Sequence, residues 1–454
     1  MENEVKSENS RFLAGAALIV LVAGLLIRLV LAPLLTYPFD IEHWAVIIQN
    51  IDSGNGLYGL SGYFYTPVWG YIMGFDTLLM NAVGGLDTMA DRFTDLIGIE
   101  GLDFRFFTAT TTTPVFNTVM KIPLIIVDVA VGYLLWDLVM EKTASKRKAD
   151  TAFALWFLCP VVVYMSGIQA QFDCMSAMFT LLTVLLVRKD HCFLAGMMFT
   201  VAALIKFFPA FIIFVLVLYL WRKHASDGTA VKRILISVAG AVVAFCVIYA
   251  PQMIDGTFVD SLSFILGRAS ESEIFEKVYT YGMVLVTLLA LFYTARHILK
   301  FEKGDLDDEF LMMTTVTLAA ACMISGGPQY CIVYLPLLAY YASVSEGKLY
   351  MRCFIVIGVL SMIVAFINNS FSLLTSVTEY WGWIDPQVVV DAMRSVQGFM
   401  YWLRVVVQVF QGVALFMTFA FLFTDTVHRD HPVIRVVNEI KARIGGEHVE
   451  DCRS

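Results

Sequence analysis

Charge is scarce in this 454-residue chain: only 15% of its residues are Asp, Glu, Lys or Arg, against about a quarter in soluble proteins. That shortage excludes an ordinary water-soluble domain. Basic runs interleaved with aromatics are missing and the net charge is -8, which excludes a nucleic-acid partner. No phosphate-cradling glycine loop, GxSxG elbow or HExxH pair occurs, so the chain lacks the usual sequence marks of nucleotide hydrolysis, serine hydrolysis and zinc proteolysis. Cysteine is present without pattern. Seven of the eight (Cys159, Cys174, Cys192, Cys246, Cys322, Cys331, Cys353) lie in or beside apolar runs with no close spacing, and Cys452 stands in the tail, so neither a disulfide framework nor a zinc site is indicated.

What is present is apolar length. With 59% hydrophobic residues and a mean hydropathy of +0.74, most of the chain reads as segments able to cross a bilayer, which take about 20 residues each. The expected fold is all-α, a polytopic helical membrane protein with about twelve spans: 12–35, 118–140, 150–168, 173–188, 191–206, 207–222, 233–250, 279–299, 309–326, 328–343, 352–374 and 399–424. Residues 1–454 form a single membrane domain. The run from Phe12 to Leu35 is too long for a signal-peptide core and no small-residue cleavage pattern follows it, so it reads as a retained first span.

Basic residues fall on alternate connections, EKTASKRK (141–148), RKDH (188–191), RKHASDGTAVKR (222–233) and the tail 425–454. The positive-inside rule puts these connections and both termini in the cytoplasm. The opposite side receives a large first loop, 36–117, with nine acids against two arginines. Its apolar piece 66–83 is expected to lie at the outer interface, because a crossing there would invert every later connection.

The loop opens on FDIEHWAVIIQNI, where Trp44, Ile47, Ile48 and Ile51 recur at i, i+3, i+4 and i+7 before Gly54. This spacing predicts an interfacial helix with Trp44 at headgroup depth and Asp40 at the N-cap. Polar groups in the apolar segments favour the same outer side: Gln169, Gln171 and Asp173 in IQAQFD, Lys206 in LIKFFP, Gln329 in GGPQY, and Tyr63 and Tyr65 in GYFYTP. A lysine at membrane depth is costly and is a functional candidate by default. Arg28 and Asp128 lie at similar depths and are expected to neutralise one another structurally. His43 beside Asp40 and Glu42 offers ligands for a divalent metal, with no second ligand cluster in the sequence to complete the set; no other cofactor is indicated.

These motifs taken in order resemble the GT-C superfamily of integral-membrane glycosyltransferases, with the closer likeness to the GPI mannosyltransferase and the asparagine-linked-glycan glucosyltransferases. The carriers are FDIEHW, YFYTP, KIPLIIVD, the P-x-x-x-Y to QAQFD segment, LIKFFP and GGPQYCIVYLP. The resemblance implies an inverting transfer of a hexose, mannose favoured, from a polyprenyl- or dolichyl-phosphate donor to a glycan, lipid or protein acceptor on the external or luminal face of a prokaryotic plasma membrane or the endoplasmic reticulum. It implies a general base in the first loop. Relatives carry adjacent acids there; here they are separated as Asp40-Ile-Glu42, which leaves both open. Lys206 is the first choice for the donor phosphate, with Arg268 and Arg404 second. Gln169, Gln171, Asp173, Gln329, His43, Tyr63 and Tyr65 are candidates for the sugar and acceptor. The alternative function is a secondary transporter or lipid-linked-glycan flippase, for which midplane charges and paired halves are expected.

Overall fold

The computed structural model describes residues 12, 15–58, 63–84, 86, 92–93, 110–267, 274–302, 304–426 and 432–445. Among them the regular structure is helical apart from one two-residue antiparallel pairing, Arg92–Phe93 with Thr110–Thr111. Six helices are long and apolar enough to cross a bilayer: Ala16–Leu34, Pro114–Thr143, Ala230–Asp255, Tyr279–Lys300, Leu349–Asn369 and Pro386–Asp425. A seventh is a broken pair, Lys146–Phe157 followed by Pro160–Gln169, bent by 46°.

Where further spans are expected the helices are short. Asp173–Arg188 has 16 residues, Cys192–Ile205 has 14 and Ile213–Lys223 has 11. Each is interrupted near the same end of the bundle by an irregular turn, and those turns carry most of the polar motifs. Two glycines let the short helix Cys192–Ile205 cross Ala230–Asp255 at close range: a Cβ on Gly196 would lie 1.8 Å from the Ser237 carbonyl oxygen, and one on Gly240 would lie 2.0 Å from that of Phe193. Small residues at such a crossing replace the hydrophobic drive that lipid surroundings remove.

The two ends of the bundle differ in chemistry. At one end the basic connections meet in ion pairs, Lys142 with Asp308, Lys148 with Glu346 at 2.8 Å, Arg188 with Asp307 at 3.4 Å and Lys223 with Asp190 at 3.3 Å. The helix Asp173–Arg188 runs from that end to the other, about 24 Å at 1.5 Å per residue, and delivers Asp173 to the end where the first loop lies.

In that loop the expected amphipathic helix forms, as Pro38–Asp52, and Gly54 follows it with φ 75°. Its apolar stripe is buried at Trp44, Ile47 and Ile48. Two details depart from the sequence expectation. Proline at the first position starts the helix early, so Tyr37 is the N-cap and Asp40 falls inside the first turn. Trp44 is 1% exposed; it packs inward against Trp69, 5.6 Å away between ring centroids, and presents no open face to lipid.

The helix Pro67–Val83 is not among the six span-capable helices. It buries Asp76 with neither carboxylate oxygen hydrogen-bonded, and burial pushes that carboxyl up to about 8. An acid whose folded value is raised destabilises the fold progressively as the unfolded chain ionises, here between about pH 4 and pH 8. Asp76→Asn is therefore expected to raise the thermal midpoint by several degrees at the upper end of that window and hardly at all at its lower end. Equal midpoints at both ends would show that Asp76 is not held neutral.

Candidate active site

The first loop delivers Asp40 to a break in a membrane segment. After Phe157 the chain turns at Pro160, makes a single helical turn, and ends in a π-turn, Met165–Gln169, followed by Ala170 at φ 58°. A left-handed alanine is strained, and π-turns concentrate at functional sites. Here the irregular backbone has a visible product: Gln169 and Gln171, two residues apart, aim their amides at one atom. Gln169 Nε2 donates to Asp40 Oδ2 at 2.9 Å and Gln171 Nε2 donates to the same oxygen at 2.7 Å.

Asp173 begins the next helix, fully buried, with Lys206 Nζ 3.5 Å from its Oδ2. Lys206 stands where the helix Cys192–Ile205 stops and the 3-10 turn Phe208–Ile212 begins, in extended backbone that turns the side chain toward Asp173. Aromatic faces surround its ammonium: the centroid of Phe172 lies at 4.6 Å, that of Tyr330 at 5.5 Å and that of Tyr65 at 5.8 Å. Ring quadrupoles attract a cation in this way. Behind them Trp69 stacks on Phe172 at 4.7 Å and Trp44 packs edge-on to both.

The four outer segments do not contribute equally. Tyr330 reaches Lys206 through the turn Pro328–Val333, and Gln329 precedes it in that turn. Tyr65 joins the ring cluster, 5.1 Å from Phe172. Tyr63 does not present an open face: it is buried, and its hydroxyl donates to the Thr66 carbonyl at 2.7 Å, closing the turn before Pro67. Arg404 lies along the last long helix, partly exposed, and makes no hydrogen bond or ion pair with these groups among the described residues. Arg268 lies outside the described residues.

Asp40 remains partly accessible. Burial raises its pKa above the usual carboxylate range, the amides of Gln169 and Gln171 and the Lys206 charge oppose that rise, and Asp173 adds to it. Its neighbour Tyr37 is held up to about 12 by burial and by Asp40, and stays a phenol at any physiological pH. Glu42 has no hydrogen bond or ion pair among the described residues. His43 stacks on Phe64, with ring centroids at 5.8 Å and planes 9° apart, and burial lowers its pKa, so it is neutral near pH 7. Among the described residues no three His, Cys, Asp or Glu side chains gather as a metal set, so the metal reading of Asp40, Glu42 and His43 finds no geometry to rest on. Among the described residues, buried polar atoms of the cluster without a hydrogen-bond partner include Gln169 Oε1, Trp44 Nε1, Trp69 Nε1 and His43 Nε2. Such orphans are rare in buried cores.

Residues 107–326 match the model of Glycosyltransferase family 87, a family of GT-C-type membrane glycosyltransferases. The chain is a membrane glycosyltransferase. No curated protein matches it. The matched segment includes the broken helix, Gln169, Gln171, Asp173 and Lys206, while Asp40 precedes it.

Two residues that carried no functional expectation brace the elements of the site. Lys121, in the KIPLIIVD motif, is fully buried and donates from Nζ to the carbonyls of Ala32 at 2.7 Å and Leu35 at 2.8 Å. It thereby caps the first span where it leads into the Asp40 helix. Asn369, in NNS, donates to the Tyr164 hydroxyl at 2.8 Å, just before the π-turn. Their roles depend on partners far away in sequence, and only the unusual placement of a lysine or asparagine at a span end could have signalled them.

Proposed function

We propose that the transferase moves one hexose, mannose being the leading candidate, from a polyprenyl or dolichyl phosphate to an acceptor hydroxyl on the non-cytoplasmic face, with inversion at the anomeric carbon. The observation that carries this reading is the convergence of Asp40, Gln169, Gln171, Asp173 and Lys206 at the bundle end opposite the basic connections. By the positive-inside rule the basic end faces the cytoplasm. The cytoplasmic connections are too short for a nucleotide-sugar domain, so a donor delivered within the membrane fits the architecture.

Asp40 acts as the general base. The acceptor O–H gives its proton to the Asp40 carboxylate as the acceptor oxygen bonds to the anomeric carbon. The bond from that carbon to the phosphate oxygen breaks, and its electron pair stays on the phosphate. The leaving group gains negative charge in a low-dielectric setting, where a fixed cation counts most, and Lys206 supplies it. Gln169 and Gln171 hold the carboxylate in place, and Tyr65 with Phe172 and Tyr330 forms the apolar wall beside the cation. Glu42 has no comparable support.

The test is donor identity. Reconstituted protein is given radiolabelled polyprenyl-phosphate hexose or the matching nucleotide sugar, and the anomer of the product is determined. Label entering the acceptor from the lipid donor alone, with inverted configuration, is expected; transfer from the nucleotide sugar, or retention, would overturn the reading.

A further inference from the structure

A buried ion pair seldom stabilises a protein more than apolar packing of the same volume would, since desolvation cancels most of the attraction. The pair Arg28–Asp128 is entirely buried, with Nη2 2.8 Å from Oδ2, and its further contacts are unusual in where they fall. Arg28 Nη1 donates to the carbonyl of Phe157 at 2.9 Å, the last residue of the helix before the break. Ser166 Oγ, inside the π-turn after the break, donates to Asp128 Oδ2 at 2.5 Å. Gly167 packs directly on Arg28: a Cβ there would stand 3.3 Å from Arg28 Cγ. Trp156 Nε1, also before the break, donates to the Asp128 carbonyl at 2.9 Å. One charged pair on the first and second spans thus grips the third segment on both sides of its 46° bend.

We propose that Arg28, Asp128 and Ser166 are positioning residues that lock the broken segment in the shape that brings Gln169 and Gln171 to Asp40. The chain of contacts is continuous. Ser166 lies three residues before Gln169 in the same five-residue turn, and Gln169 touches Asp40 directly. A pair serving only to neutralise two charges would need neither the Phe157 carbonyl nor the Ser166 hydroxyl. The inference deepens the proposed function and rests on Asp40 as the base.

Removing either charge would leave the other buried alone and risks misfolding, so the test uses Ser166→Ala, which deletes one hydroxyl. A shift of about 1 Å in a positioned group can cost on the order of 100-fold in rate. Ser166→Ala is expected to lower kcat about 10-fold, a partial loss of that positioning, with KM for the lipid donor and the thermal midpoint little changed. The acid limb of the pH–rate profile should move to higher pH, because the amides that lower the Asp40 pKa are displaced while Lys206, Asp173, Tyr37 and Tyr164 still face it.

Combined with Gln171→Ala or Gln169→Ala, the effect of Ser166→Ala should be much smaller than in the wild type, since the two changes remove one contact. A wild-type kcat in Ser166→Ala, or an equal loss in both backgrounds, overturns the positioning role. The base assignment fails separately, through full activity in Asp40→Asn; the comparison of Ser166 and glutamine variants on kcat is decided either way.

Discussion

Lys206→Met is expected to reduce kcat by about 100- to 1000-fold, the range seen when a preorganised stabiliser of developing charge is removed. The methionine side chain has similar length and keeps contact with the rings of Phe172, Tyr65 and Tyr330, so the change isolates the charge. Lys206 is also the cation whose field opposes the burial-driven rise in the Asp40 pKa. Its loss should therefore move the acid limb of the pH–rate profile upward as well. Asp173, which faces Lys206 at 3.5 Å, would then stay buried without that partner, and some loss of stability should accompany the loss of rate. Lys206→Arg keeps the charge and should recover part of the activity. Steady-state kinetics with lipid donor in excess would decide the matter, and a Lys206→Met rate within twofold of wild type would remove the lysine from the chemistry.

The second large effect is that of Asp40→Asn, for which a fall of about 1000-fold is expected, within the 100- to 10,000-fold range typical of general-base removal. Asparagine occupies the same space but takes up no proton. On the proposed mechanism the base works only when ionised, so activity should fall as the pH drops through the Asp40 pKa. Because burial raises that value, the fall should begin at higher pH than an ordinary carboxylate would give. Gln171→Ala removes one of the two amide hydrogen bonds that oppose the rise and should displace the limb further upward.

How much of this was readable in the residues depends on how local the determinant is. The stripe Trp44, Ile47, Ile48 and Ile51 predicts the helix Pro38–Asp52, since 3.6-residue periodicity needs no knowledge of the partner. The pairing of Arg28 with Asp128 is visible because two buried charges at matching depth have few other solutions. The inward packing of Trp44 is not visible: an amphipathic ring suits a headgroup layer and a protein core equally, and the choice is made by Trp69 and Phe172, far along the chain. Nor is the site of the Asp40 contact, because Pro38 moves the N-cap from Asp40 to Tyr37 and the glutamine pair is aimed by a π-turn and a left-handed alanine that composition does not announce. The expected twelve spans rest on apolar length; the described residues show six span-capable helices and one broken pair, beside the short helices Asp173–Arg188, Cys192–Ile205 and Ile213–Lys223. Their ends are spent on irregular turns that carry Gln171, Asp173 and Lys206.

The central claim is that the carboxylate of Asp40, and not that of Glu42, takes the acceptor proton. It is tested most directly by loading wild type, Asp40→Asn and Glu42→Gln with labelled lipid donor, measuring occupancy, and then following a single turnover after acceptor is added. All three should bind donor alike, with product forming at the wild-type rate in Glu42→Gln and at about a thousandth of it in Asp40→Asn. Normal turnover in Asp40→Asn would contradict the account.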